Sequence, residues 1–159
     1  MAYSAFAVAN AFIERAEQGR IPNLTPMKLQ KLLYFAQAWH LKGTQGAPLL
    51  DDNFARWQHG PVIPSVYHEF KAYGYRPISS KATTLAFNAN GYAVNIPTIP
   101  YEDQNTWGLI DAIINRYGMI DAQVLSTMTH LKDSAWDVGG GGNGSVITHD
   151  QILNDPTIQ

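Results

Sequence analysis

Five histidines, His40, His59, His68, His130 and His149, are the side chains best suited to chemistry in this chain. A metal held on one helix needs two such ligands about three or four residues apart, and no pair here has that spacing. A metal-dependent enzyme assembled from distant segments stays open as an alternative, and His59 with His68 would be its support. For His40 and His130, each near a helix end, the competing role is to meet a carbonyl or the helix dipole. Nucleophilic catalysis asks for Ser or Thr on a strained turn beside a His and an acid. No Gly-X-Ser-X-Gly occurs. The carboxylate pairs Asp51-Asp52 and Glu102-Asp103 fall where a loop or a helix N-terminus favours acids anyway. The absence of cysteine removes thiol catalysis, disulfides and cysteine-rich zinc sites. The run GGGGNG at 139–144 offers backbone amides to an anion. It has no preceding strand and no following Gly-Lys-Ser/Thr, so it reads as a flexible linker. The expectation is therefore no catalytic residue, no metal ligand and no cofactor.

Aromatic residues are what remains. In RWQHGPVIPSVYHEF, from Arg56 to Phe70, Trp57, His59, Tyr67 and His68 surround a Gly-Pro step, and the preceding helix carries Tyr34, Phe35 and Trp39. Large aromatics fill cores and also anchor interfaces, where a few side chains deliver most of the binding energy. Tyr34, Trp39, Trp57, His59 and Tyr67 are the candidates for partner contact. Gly60, Pro61 and Pro64 are read as structural. Gly60-Pro61 is expected to form a turn, since Gly permits a φ that a side chain would block and the prolines pre-set theirs. Trp57 and Tyr67 are expected to pack on the Tyr34/Trp39 helix.

The elements that must position these residues are mostly helical. Ala5, Val8, Ala9, Phe12, Ile13 and Ala16 recur at threes and fours, a helix face ending near Gly19. Thr25 can cap a second helix with Pro26 in its first turn, running to a left-handed stop at Gly43. That helix is apolar on two sides and is expected to be central. FARW reads as a short extended piece. Pro64 opens a short helix to Gly74, with Val66, Tyr67, Phe70 and Tyr73 turned inward. TTLAFN and YAVNI, joined by Ala89-Asn90-Gly91, read as a β-hairpin. A helix over 102–117 carries Trp107, Ile110, Ile114 and Tyr117 on one face. Asp121 is expected to cap a further helix with Val124, Leu125, Met128 and Leu131 inward. Thr148 and Gln151 form a capping box, flanked by Ile147 and Ile152, for a last short helix. The fold class is mainly α, a compact helical domain with one β-hairpin, on the margin of α+β.

The 159 residues suit one domain, 1–159. With 45% hydrophobic residues the chain is globular, and only 15% are charged against about 25% in an average domain. The net charge of −2 divides into +3 over residues 1–80 and −5 over 81–159. No basic run is long enough for a nucleic-acid footprint, so nucleic-acid binding is disfavoured. AFAVANAFI lacks a basic leader and runs straight into Glu14, Arg15 and Glu17. No segment approaches the ~20 apolar residues of a membrane span. A cytoplasmic protein is expected.

Three segments together carry a family resemblance: KLQKLLYFAQAWHL, then FARWQHGPVIPSVYHEFKAYG, then INRYGMIDAQVLSTMTH with Trp136 after it. In that order they resemble the Panacea domain, the SocA-like antitoxin domain, over about residues 5–155. The most specific part is Lys28 to Phe35 followed by Trp57, Gly60-Pro61-Val62, Val66-Tyr67 and Phe70. Where the family often has Asp-Pro-Trp, this chain reads Asp133-Ser134-Ala135-Trp136, which leaves the loop geometry there open. The resemblance implies a largely helical antitoxin of phages and mobile elements, without catalytic residues, that neutralises a cognate protein toxin by direct binding. One branch also implies an adaptor that delivers its client to the ClpXP protease. The identity of the toxin, the contacting surface and the oligomeric state are not implied.

Overall fold

A computed structural model describes residues 2–159; residue 1 of the expected domain lies outside the described residues. The fold is mainly α, with seven α-helices and two small sheets among those residues. Helix α1, Ala5–Glu17, is capped by Ser4, whose side chain accepts from the Ala7 amide. Its apolar face is buried as the spacing predicts, from Ala5 to Ile13.

Helix α2, Pro26–Thr44, is the axis of the molecule. Thr25 caps it by accepting from Lys28 N, with Pro26 in the first turn. It packs against α1, α3 (Pro64–Phe70), α4 (Gln104–Tyr117), α5 (Ala122–Thr129) and α7 (His149–Leu153). Almost no side of it is left for water, so even Lys28, Gln30, Lys31 and Gln37 are buried. The helix does not stop at Gly43. It continues through Thr44, and Gln45 takes the left-handed conformation, φ 58°, with its amide on Leu41 O. Local side chains support this one-residue extension: Thr44 Oγ1 donates to His40 O, and His40 Nδ1 lies 2.7 Å from Ala47 O.

The extended piece is β1, Phe54–Trp57, and it has two partners the sequence did not announce. On one side it pairs antiparallel with β2, Gly60–Val62; on the other with β5, Val146–Ile147. Trp57 stands opposite Gly60, so the turn is Gln58-His59. Gly60 and Pro61 belong to a strand, which corrects the expected Gly-Pro turn. Pro64 does open α3, and a 3-10 turn, Lys71–Tyr73, carries the chain to Gly74 at φ 59°. Val66 and Phe70 are buried, whereas Tyr67 is exposed and Tyr73 half-buried.

The predicted hairpin is β3, Thr84–Asn88, with β4, Gly91–Asn95. Helix α7 follows its predicted Thr148/Gln151 box, whereas α4 starts later than the expected 102, at Gln104, with Asp103 as its cap accepting from Thr106 N. Of the four apolar residues expected inward on α5 only Leu125 is fully buried; Val124 is exposed, Met128 half-buried, and Leu131, also exposed, lies beyond the end of the helix. The inner side of α5 carries Ser126 and Thr129 instead. A four-residue helix α6, Ala135–Val138, then leads into the glycine run. Among the described residues, no helix is long and apolar enough to cross a membrane.

Candidate partner-binding cleft

The Gln58-His59 turn is held by its backbone. Three successive carbonyls are met by side chains from the α5–α6 segment. Trp136 Nε1 donates to Trp57 O at 2.8 Å, and Ser126 Oγ donates to His59 O at 2.6 Å. Between them, His130 Nε2 lies 3.0 Å from Gln58 O. The imidazole sits against the Trp136 ring, centroids 4.1 Å apart. From the other side α2 takes hold: Lys31 Nζ donates to Pro61 O at 2.9 Å. Gln30 grips Ile63 twice, donating to its carbonyl and accepting from its amide. Lys-Leu-Gln-Lys and Gly-Pro-Val, far apart in the chain, are thus two halves of one joint.

Gly60 is needed at its centre. Its φ is +113°, and a Cβ there would lie 2.6 Å from Thr129 Oγ1 and 2.9 Å from Lys31 Nζ. Either reason alone disfavours a side chain.

Beside this joint opens a cleft of ≈ 860 Å³. Its floor is the first half of α2 with Met27, Lys28 and Lys31. One wall is α3 and its 3-10 turn, with Val66, Tyr67, Phe70, Lys71 and Tyr75; the other is the start of α5, Asp121 to Val124. The hairpin tip closes one end with Trp57, Gln58 and His59. Trp57 and Tyr67 meet edge to face, centroids 4.9 Å apart.

Of the five candidates for partner contact, the structure gathers Trp57, His59 and Tyr67 around this cleft. Tyr34 is elsewhere, in the core, edge-on to Phe35 and Phe54, with its hydroxyl donating to Asp155. Burial and the neighbouring Asp155 raise its pKa well above the ordinary tyrosine value. Trp39 is half-buried against α4: Nε1 donates to Tyr117 OH at 2.8 Å, and the Arg116 guanidinium lies 4.8 Å from its ring centre. Trp57 and Tyr67 therefore pack on each other at the cleft and not on the Tyr34/Trp39 end of α2.

Lys28 and Lys31 are the residues at this cleft that the sequence reading passed over. A helix apolar on two sides has no solvated face for its lysines, and that was the available signal. Burial pushes the Lys31 ammonium down to about 7. Lys28 is also lowered by burial, with Asp121 pulling the other way, and its Nζ donates to Pro22 O.

The polar groups around the joint are committed to structure. Ser126 and Thr129 spend their hydroxyl protons on backbone carbonyls, and His130 sets both ring nitrogens against carbonyl oxygens. The one hydroxyl beside the imidazole, Thr129 Oγ1 at 3.5 Å from Nδ1, makes its shorter bond, 2.6 Å, to Ser126 O. His59 and His68 are exposed, and no set of three metal-ligating side chains is gathered among the described residues. The cleft offers shape, apolar surface and charge.

Residues 29–137, which hold the Gln30 and Lys31 grip and the Gly-Pro-Val strand, match the family model described as "Antitoxin SocA-like, Panacea domain". The chain belongs to that family. This Panacea chain is also 33% identical over 139 residues to "Antitoxin SocA" of Caulobacter vibrioides (strain NA1000 / CB15N), an overlap of 87% of this chain and 71% of that one. No solved structure matches it. Within the Panacea chain, the matched span also includes the cleft walls on α3 and α5.

Proposed function

We propose that this Panacea chain is the antitoxin of a toxin–antitoxin pair, of phage or mobile-element origin, acting in the cytoplasm as one domain over 1–159. It neutralises a cognate protein toxin by direct binding and carries out no catalysis. The observation that supports this reading is the cleft itself: exposed aromatic and apolar walls inside the family's matched span, beside a joint whose hydroxyls and imidazole are occupied by backbone carbonyls. Such a surface is built to hold another polypeptide. The test is co-expression with the product of the adjacent reading frame. Growth restored by this chain, with both proteins co-purifying, is the expected outcome; a toxic neighbour left toxic, with no complex, refutes the proposal.

A second reading, an adaptor delivering a client to a ClpXP-type protease, has one observation in its favour. An adaptor needs two surfaces, and the β3–β4 hairpin exposes Leu85, Phe87, Tyr92 and Val94 on one face, none of them part of the cleft. In a reconstituted reaction the adaptor speeds degradation of the bound protein, whereas a blocking antitoxin leaves its rate unchanged.

A further inference from the structure

The charges that line the cleft are Lys28, Lys31 and Lys71 against Asp121, a formal +2 with Lys31 protonated and +1 with it neutral, in a chain whose formal total is −2. The rest of the molecule therefore sums to −4, and the cleft is a local positive site on an acidic protein. Two of its lysines are buried, and each gives only one of three ammonium N–H groups to a protein carbonyl, Lys28 to Pro22 O and Lys31 to Pro61 O. An ammonium so withdrawn from water is costly, and a negative charge brought nearby lowers that cost through a medium that screens poorly. The walls add the apolar half of the recognition: Val124 is exposed on one side, and Tyr75, 94% exposed, stands at the edge of the other.

We infer that the cleft seats an acidic segment of a partner protein, an aromatic or aliphatic anchor flanked by Asp or Glu, with the anchor between α3 and α5 and the carboxylates over the lysine floor. This deepens the antitoxin reading and names what the toxin must present. Aromatic anchors in a desolvated slot supply affinity, and the opposed charges select against basic segments.

The experiment pans a library of random displayed peptides on the purified chain and measures the selected peptides against Lys71→Glu and Val124→Asp. Both positions are exposed, so an unchanged melting temperature verifies that the variants fold. Enrichment of Asp/Glu around an apolar anchor is expected, with affinity falling at least ~10-fold in each variant and on raising the salt. Basic or charge-free peptides, no enrichment, or binding indifferent to both variants overturns the inference. The same variants in the growth assay separate the two claims. If the unaltered chain rescues and both variants rescue equally, the antitoxin reading stands and the cleft inference falls. If the unaltered chain fails to rescue while acidic peptides bind as described, the reverse holds.

Discussion

Lys31 is the residue with the most to lose by its position. It is fully buried on α2, one carbonyl is its hydrogen-bond partner, and burial takes its pKa from 10.5 to about 7. The sign of the consequence follows from proton counting. Below pH 7 folded and unfolded chains both carry the proton, so the cost of the buried charge is fully present. Between pH 7 and about 10 the unfolded chain holds the proton and the folded chain has released it, so stability rises with pH. The full gain is roughly 5 kcal/mol. Tyr34 acts oppositely only at higher pH, because its raised pKa makes the folded chain keep a proton that the unfolded chain loses. Urea midpoints at pH 7 and pH 9 should therefore increase with pH, and Lys31→Met should flatten that dependence while keeping the aliphatic stem. An unchanged slope in the variant would place the titrating group elsewhere. Trp57 differs in degree. Half-buried and edge-on to Tyr67 at the cleft, it should cost about 1–2 kcal/mol on truncation to Ala, below the ~3–5 of a fully buried aromatic, by thermal unfolding.

At the scale of elements, the glycine run shows what fixes a loop. It is no slack linker. Arg56 lies buried beneath it and donates to Trp136 O, Ser145 Oγ, Val146 O, Ala135 O and Gln151 Oε1, all uncharged acceptors. A Cβ on Gly139 would lie 1.9 Å from the Arg56 Cζ, and one on Gly142 3.0 Å from Gln58 Cα. Gly139→Ala should then cost roughly 2–4 kcal/mol by pushing the guanidinium off its carbonyls. Gly43→Ala is the control: that glycine is helical with open space around it, and the change should add up to about 1 kcal/mol. Equal melting temperatures for the two would refute the packed-loop account. The contrast also explains what could be read from the chain in advance. Helices α1, α2, α4 and α7 were legible because caps and apolar spacing act within one turn. The β1–β2–β5 sheet, the buried Arg56 and the Gln30/Lys31 grip were not, since each depends on residues tens of positions away. The cleft was legible in part: Trp57, His59 and Tyr67 were marked by type, while Lys28 and Lys31 looked like ordinary surface lysines.

The whole molecule divides by how much of each part the core holds. Helix α2 is enclosed by five other helices, with Leu29, Leu32, Leu33 and Ala36 fully buried. The β3–β4 hairpin lies at the other extreme. From Leu85 to Asn95 every residue is exposed, and its apolar face, with Phe87 77% exposed, is covered by nothing among the described residues. An isolated two-stranded hairpin is marginal in water, and opening it sacrifices little that the core needs. Opening α2 dismantles the core itself. Native-state hydrogen exchange should accordingly show hairpin amides at least ~10³-fold less protected than those from Leu29 to Leu41, at free energies near local fraying and global unfolding respectively. Substituting Phe87 and Tyr92 together with Thr should leave the unfolding midpoint of α2 unmoved. Hairpin protection approaching that of α2 would mean the face is covered in solution. If that protection fell on dilution, the cover would be a second copy of the chain, and the Thr variant would abolish it.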